Sequence, residues 1–379
     1  MSKALKVGAN IHFVGVGGIG MSGLAVLASK RGFTVSGCNN GISESVKNRL
    51  ESAGIKTFSC HDKEHLNSDI DLVVFSTAIP EQHEERLAAV DLNILSMHRS
   101  ELLAFLMKDA KNKIAISGSH GKTTVSSMVT WILHHSNKNP TAVVGGIIGR
   151  LGTNVLAGSN DIFVVEADES DKSLLNYKPT IALVNNIDAE HLDVYKNLDE
   201  VKNTFLKFFK KLPANGSGKA ILNIDDGLAS SLISSIDSPV LTYGIMDKRN
   251  PDFLGKNIKL LADASTFEVW NNSNCLGSIE LNVPGVFNVT NALAAMVVSL
   301  ELGVEFEAIK SAIKCFPGVG RRFEFKGTCN GANVFDDYAH HPTEILNTAI
   351  AAKNRTNGKL FIVSQPQRYS RTRDLWKEF

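Results

Sequence analysis

Short apolar runs alternate along this chain with stretches of helical periodicity, a pattern that predicts α/β layers built on largely parallel sheets. The first run, Asn10–Val16, leads into a glycine cluster and then a helix over Gly20–Arg31. Beyond it the pattern predicts a strand at Thr34–Gly37, a helix at Glu44–Ala53, strands near Ile55–Phe58 and Leu72–Ser76, and a closing helix at His98–Met107. The charged stretch Lys108–Lys113 reads as a linker, and Lys113–Ser117 opens a second unit with the same order of strand, glycine loop and helix. Within it Asp161–Val165, Ile181–Ile187 and Lys219–Asn223 read as buried strands and Leu198–Leu212 as an amphipathic helix. Ser238–Tyr243, and Ser265–Trp270 with Ser278–Val283, have the look of hairpins, and Asn288–Leu302 is a helix. After Phe316-Pro317-Gly318 a third pattern begins, with strands at Arg322–Lys326, Ala332–Asp336 and Lys359–Ser364 and a helix at Thr343–Lys353.

Composition narrows the class. A length of 379 residues suits two to three domains. Forty Lys and Arg against 39 Asp and Glu leave a formal charge of +1, so neither a global basic field for nucleic acid nor an acidic tail is expected. The longest apolar runs, such as Ile11–Val16 and Ile162–Val165, fall far short of the roughly 20 residues of a membrane span. The first residues, Met1–Lys6, lack the apolar segment of a secretory signal. Cys38, Cys60, Cys275, Cys315 and Cys329 are scattered, which suits reduced thiols and a cytoplasmic location.

Two glycine loops carry candidate chemistry. Gly15-Val16-Gly17-Gly18-Ile19-Gly20 lies between a strand and a helix, where glycines permit a tight turn and the helix N-terminus favours a diphosphate. A nicotinamide cofactor calls for an acid near the end of the second strand, but Ser36–Asn40 holds none, so another diphosphate fits better. The second loop, Gly118-Ser119-His120-Gly121-Lys122-Thr123-Thr124, is a P-loop in its chemistry. Backbone N–H groups would cradle phosphates, Lys122 would reach the β and γ oxygens, and a threonine hydroxyl would hold Mg²⁺. It departs from the general pattern in that Ile116 stands where the first glycine belongs.

Acidic and imidazole groups follow two further apolar strands. Glu166-Ala167-Asp168-Glu169-Ser170-Asp171 begins where a Mg²⁺ ligand is expected in such a domain, and Asn185–Asp193 contains His191. Neither segment has the paired His or Cys of a zinc site, and oxygen ligands with one imidazole suit Mg²⁺, or Mn²⁺ in its place. The third unit holds Arg321-Arg322, Asp336–Glu344 and Gln365–Arg373, and repeated arginine can stabilise transferring phosphate or grip a carboxylate.

Taken in order, the segments His12–Gly23, Ser76–Ile79, Gly118–Thr124, Glu166–Asp171, Asn186–Asp193, Pro284–Leu293, Gly320–Phe323, Asp336–Glu344 and Gln365–Arg373 resemble those of the Mur ligases of peptidoglycan synthesis. Within that family the resemblance favours the branch that joins L-alanine to UDP-N-acetylmuramate. It implies three α/β domains: a Rossmann-like UDP-sugar domain over 1–108, a P-loop ATPase domain over 109–320, and an incomplete Rossmann-like domain on the amino-acid side over 321–379. It also implies roles. Gly15, Gly17, Gly18 and Gly20, with Ser76, Thr77 and Ala78, would bind the UDP-sugar. Gly118, Ser119, His120, Gly121, Lys122, Thr123 and Thr124, with Asn288 and Arg322, would bind ATP. Thr123, Glu166 and His191 would hold Mg²⁺ or Mn²⁺, and Lys122, Glu166, His191 and Arg322 would serve catalysis. Tyr338, His341, Arg368 and Arg371 would line the L-alanine side.

The reaction so implied runs through an acyl phosphate, with UDP-N-acetylmuramate, ATP and L-alanine as small-molecule partners and a monomer or weak homodimer as the unit. The sequence departs from the family's pattern at Asn39 (often Asp), Phe287 (His), Ala339 (Gly) and Gln367 (His), and it stops soon after Arg373, where relatives continue. Two alternatives accompany the L-alanine reading: a recycling ligase that attaches a murein peptide to the same nucleotide, and a shortened, non-catalytic nucleotide-binding protein.

Overall fold

The computed structural model describes residues 5–188, 190–191, 194–367 and 369–379. The first unit runs β1 (Asn10–Val14), α1 (Ile19–Lys30), β2 (Thr34–Cys38), α2 (Glu44–Ser52), β3 (Lys56–Phe58), β4 (Leu72–Phe75), α3 (Glu84–Asp91), β5 (Leu95–His98) and α4 (Arg99–Met107). Its sheet is parallel throughout, in the order β3-β2-β1-β4-β5. The chain reverses direction across the sheet between β1 and β4, so a crevice opens at their carboxyl ends, where such sheets bind ligands. The Gly15–Gly20 loop and the Ser76–Ile79 turn lie at those two ends.

The second unit contains β6 (Asn112–Ser117), α5 (Lys122–His135), β7 (Thr141–Ile148), β8 (Thr153–Leu156), β9 (Ile162–Glu166), β10 (Ile181–Val184), α6 (Leu198–Phe209), β11 (Lys219–Asn223), α7 (Gly227–Ser230), β12 (Val240–Gly244), β13 (Phe253–Leu260), β14 (Ser265–Asn271), β15 (Asn274–Leu281), α8 (Val286–Glu301) and α9 (Phe306–Lys314). Its sheet is ordered β15-β14-β13-β12-β11-β10-β6-β9-β7-β8. The P-loop strand β6 is flanked by β10 and β9, both parallel to it. Three loops therefore leave the same edge side by side. Helix α8 is apolar nearly all round, with Val289, Leu293, Met296 and Val297 wholly buried, as befits a helix packed between a sheet and other helices.

The last stretch holds an antiparallel pair, β16 (Glu324–Cys329) and β17 (Ala332–Asp336), followed by α10 (Pro342–Arg355) and the short α11 (Tyr369–Asp374). His341 and Glu344 form a capping box at the start of α10, and Pro342 occupies its first turn, where a missing N–H is harmless.

Several sequence expectations need correction. Ser238–Tyr243 is not half of a hairpin: β12 pairs in parallel with β11 and with the start of β13, and the antiparallel meander is β13-β14-β15. The apolar pattern does not mark β5, β7, β8, β13, α3, α7, α9 or α11. Lys359–Ser364 is not a strand. Its apolar side chains Phe361 and Val363 are exposed, and it pairs with no strand among the described residues. An apolar run becomes a strand only where a neighbour accepts its hydrogen bonds.

The first two units share a core. Ile11, Leu24 and Leu27 of the first belong to the same buried apolar cluster as Val143, Val155 and Phe163 of the second. Asn154, on β8, fixes this contact: it is 1% exposed, and its Nδ2 donates to the Ile19 and Val144 carbonyls while Arg49 Nη1 donates to its Oδ1 at 2.9 Å. Replacing a buried group so engaged strands its partners, at about 1–3 kcal/mol. Asn154→Ala is thus expected to lower the unfolding free energy of the first two units by that amount, seen as a lower urea midpoint at an unchanged denaturant slope. An unchanged midpoint would show that apolar packing alone joins them.

Candidate active site

The geometry starts from the three neighbouring strands. Helix α5 follows β6 through Gly121, whose backbone serves as N-cap with no side-chain hydrogen bond, leaving the helix's first N–H groups uncapped. Not every P-loop amide is available to a phosphate, however. Ser119 N–H donates to the Asn186 carbonyl at 3.1 Å and His120 N–H to Asn186 Oδ1 at 2.7 Å, so these two brace the loop against the turn after β10.

Lys122 turns back over its own loop. Its Nζ donates to the Gly118 carbonyl at 2.6 Å and to both carboxylate oxygens of Glu169, at 2.9 and 2.7 Å. Burial alone would push the Lys122 ammonium down, yet the Glu169 and Asp168 carboxylates hold it well above the ordinary lysine range. Beside it Thr123 Oγ1 donates to Glu166 Oε1 at 3.1 Å, and the Gly145 N–H donates to Glu166 Oε2 at 2.8 Å. A Cβ on Gly145 would lie 2.5 Å from that oxygen, so only glycine lets β7 approach the carboxylate so closely. Burial, with repulsion from Asp168 adding to it, raises the Glu166 pKa despite the opposing charge of Lys122.

His191 stands at φ 58°, a left-handed conformation uncommon for its type, and its Nε2 lies 3.4 Å from both Glu169 Oε1 and Glu190 Oε2. Burial works against its protonation, but these two carboxylates push its pKa up to about 9. The last unit reaches the same cluster. His341 Nε2 and Arg371 Nη2 lie 3.6 and 3.5 Å from Glu190 Oε1, and His120 bridges Asp188 at 3.1 Å and Glu344 at 3.4 Å.

Two hollows flank the P-loop. The larger, about 1380 Å³, is lined by Ile19 of the first unit, Lys122, Glu166 and His191 of the second, and Tyr338 and Arg371 of the last. The smaller, about 560 Å³, is lined by Thr124, Asn186, Phe287, Asn288 and Asn347 among others. Arg322 borders both.

Most expected site residues thus converge. Thr123 and Thr124 separate, one facing each hollow. Asn288 borders the smaller hollow but also donates from Nδ2 to the Pro284 carbonyl at 2.8 Å. Gly15 and Ile79 meet, since a Cβ on Gly15 would lie 3.2 Å from Ile79 Cδ1, and Thr77 and Ala78 are exposed on that turn. Asn39 sits against the loop, with Gly17 N–H donating to its Oδ1 at 3.3 Å. Arg368 lies outside the described residues, as does Asp193.

Sequence reasoning gave no role to Glu169, Glu190, Glu344 or Arg99. Arg99 lies 3.7 Å from Asp168 and 3.6 Å from the place of a Gly20 Cβ, so it spans the two glycine-loop domains. Glu169 and Glu190 had a signal, adjacency to acidic and imidazole groups after a strand; Arg99 had none beyond a helix start.

Comparison with known proteins agrees along the whole chain. The model for the Mur ligase family, catalytic domain, matches residues 10–111, the Mur ligase middle domain matches 116–299, and the Mur ligase, glutamate ligase domain, matches 321–379. The UDP-N-acetylmuramate–L-alanine ligase of Clostridium acetobutylicum is 44% identical over all of this chain and 82% of its own length. That of Syntrophus aciditrophicus is 41% identical over 98% of this chain and 76% of its own. Among solved structures, the UDP-N-acetylmuramate–alanine ligase of Thermotoga maritima superposes with a TM-score of 0.80 at 30% identity, covering 91% of this chain and 78% of that one. A murein peptide ligase from Psychrobacter arcticus gives 0.79 at 27% identity, covering 92% and 76%.

The charge cluster should be visible in pH dependence. Burial opposes the His120 cation, but the hydrogen bond to Asp188 and the neighbouring Glu344 carboxylate raise its pKa to about 9, above the roughly 6.5 of an unfolded histidine. A raised folded pKa contributes stability that is complete below the unfolded value and disappears as pH climbs through the folded one. Melting temperature is therefore expected to fall between about pH 7 and pH 10. The fall should be shallower in His120→Gln. Parallel profiles would show that His120 carries no charge in the folded state.

Proposed function

The chain belongs to the Mur ligase family, and on that premise we propose that it joins L-alanine to the lactyl carboxylate of UDP-N-acetylmuramate, using ATP. One observation carries the reading: a single cleft is bordered by the residue between Gly18 and Gly20, by the P-loop lysine, and by Tyr338 and Arg371 of the last unit. Three substrates held by three parts of the chain can meet there. The identity of 44% and 41% to L-alanine ligases over nearly the whole chain favours L-alanine over a peptide as the amine, and among solved structures the alanine ligase leads the murein peptide ligase by 30% to 27%.

A carboxylate acylates amines poorly, so it must first be activated. One lactyl oxygen attacks the γ-phosphorus of ATP, the bond to the β-bridging oxygen breaks, and ADP departs to leave an acyl phosphate. The neutral amine of L-alanine then attacks the acyl carbon, and inorganic phosphate leaves as the amide forms. The smaller hollow suits the nucleoside, with the Phe287 ring in its lining offering a face to a base. From there the triphosphate would follow the uncapped start of α5 toward Lys122.

Charge in the transfer spreads over the phosphoryl oxygens, so fixed cations lower the barrier most. Lys122 and Arg322 are among the cations that line the cleft. Thr123 and Glu166 supply oxygen donors of the kind Mg²⁺ prefers, and Glu166, buried beside Asp168, carries charge that a cation would relieve, so these residues fit the ion. His191 with Glu169 and Glu190 offers a second, mixed set that Mn²⁺ would also accept. When bound, the ion would neutralise charge on the phosphate oxygens. The contacts of Glu344 to His120, and of His341 and Arg371 to Glu190, hold the last unit against the P-loop, which shields an acyl phosphate from water. No described helix is long and apolar enough to cross a membrane, and soluble nucleotide substrates fit action in the cytoplasm.

Phosphate release in the presence of UDP-N-acetylmuramate and ATP tests the reading. L-Alanine is expected to trigger it; release with a murein peptide alone would assign the recycling activity, and release with neither would leave a binding protein. Lys122→Ala should lower turnover at least about a hundredfold, while UDP-sugar affinity stays within about twofold, because the lysine and the first glycine loop lie in different units. Equal loss of both would refute this division.

A further inference from the structure

A second group of ligating side chains lies away from the cleft, on the first sheet. His12 is on β1 and Cys38 ends β2, while Glu85 is in the first turn of α3 and His65 closes a single helical turn at Lys63–His65. His12, Cys38 and Glu85 are each 0% exposed. The Glu85 carboxylate is the hub: Oε1 lies 3.3 Å from His12 Nε2 and 3.0 Å from His65 Nδ1, and Oε2 lies 2.9 Å from Cys38 Sγ and 3.0 Å from His61 Nδ1. His61 Nδ1 is also 3.1 Å from the thiol. One ligand atom from each of His12, Cys38, His65 and Glu85 falls within 4.8 Å of all the others.

The proposed chemistry of the cleft uses none of these groups. A buried carboxylate needs a partner, but one hydrogen-bonded cation would suffice; gathering imidazoles and a thiol around it goes well beyond neutralising one charge. The donor set is also unlike that of the cleft. Two imidazole nitrogens, one sulfur and one carboxylate oxygen make four ligands of the type that Zn²⁺ takes, and thiolate selects against Mg²⁺. The rings are held from outside in the manner of metal-bound histidines. His12 Nδ1 hydrogen-bonds Ser36 Oγ at 2.8 Å, and the His65 ring stacks on Phe58 with centroids 4.0 Å apart.

We propose that His12, Cys38, His65 and Glu85 form a binding site for one Zn²⁺ ion, with His61 hydrogen-bonding its ligands from the outer shell. Binding would replace the thiol proton, which leaves to solvent as the sulfur–metal bond forms. The place suggests what the ion does. The Cys38 carbonyl accepts from the N–H groups of both Gly15 and Val16 at 2.9 Å, so the ion would brace the first glycine loop from behind and tie the turn at Lys63–His65 and the start of α3 to β1 and β2.

Co²⁺ titration of the full chain tests this, because a thiolate–cobalt charge-transfer band reports sulfur ligation and ignores the oxygen-rich cleft. A band saturating at one equivalent and displaced by Zn²⁺ is expected. It should vanish in Cys38→Ser, weaken at least about tenfold in affinity in His65→Ala, and persist unchanged in Cys60→Ser and His191→Ala. Zn²⁺ should raise the melting temperature of the wild type more than that of His65→Ala. Should Cys38→Ser fail to fold, His65→Ala, at a partly exposed position, still decides. No band in the wild type, a band that survives Cys38→Ser, or wild-type affinity in His65→Ala would overturn the proposal. Absence of ligase activity in the wild type with the band intact would instead count against the proposed reaction.

Discussion

Everything around the cleft depends on the burial of Lys122 against Glu169. An ammonium and a carboxylate removed from water each lose several kcal/mol of hydration, recovered only if the geometry is close and the remaining donors are used. Here Lys122 Nζ meets both carboxylate oxygens and the carbonyls of its own loop, so its donors are spent. That arrangement requires the loops after β6 and β9 to leave the sheet side by side, which the parallel pairing of those strands ensures. The turn after β10 comes alongside by the same pairing and brings His191 and Glu190.

The surplus of carboxylate so created explains how the remaining units attach. Glu166, Asp168, Glu169, Asp188 and Glu190 crowd one edge, and cations are recruited from far along the chain: Arg99 from the first unit, Arg322 and Arg371 from the last. The first unit joins through a shared apolar core, whereas His120, His341 and Arg371 make a polar junction with the last. Apolar contact suits a fixed relation. A junction of charges in a solvent-lined cleft suits one that substrates with their own phosphates and carboxylates can reorganise, which is what a three-substrate ligation requires.

Local features were the legible ones. Each glycine loop announced itself by its place between an apolar run and a helical period, and Glu166 by standing where a strand ends. Repeated arginine in the third unit hinted at phosphate or carboxylate chemistry, but only the resemblance to the Mur ligases gave Arg322, His341 and Arg371 their roles. Elements defined by their neighbours were illegible. β13 is half exposed and broken by a bulge, and Lys359–Ser364 has a strand's composition but no partner strand. The capture of the Ser119 and His120 amides by Asn186 depends on a contact between residues 66 positions apart in the case of His120. The His12–Cys38–His65–Glu85 cluster is hidden for the same reason, since its members come from different strands and turns and none is unusual alone.

The proposed reaction turns on activating a carboxylate by phosphorylating it. The most direct measurement follows heavy oxygen placed in the lactyl carboxylate of UDP-N-acetylmuramate during turnover with ATP and L-alanine. Attack of that carboxylate on the γ-phosphorus, followed by amide formation, must carry one labelled oxygen into inorganic phosphate. The label is therefore expected in the phosphate, in step with the amide formed. Unlabelled phosphate released alongside amide would contradict the acyl phosphate and the reading of the cleft that rests on it.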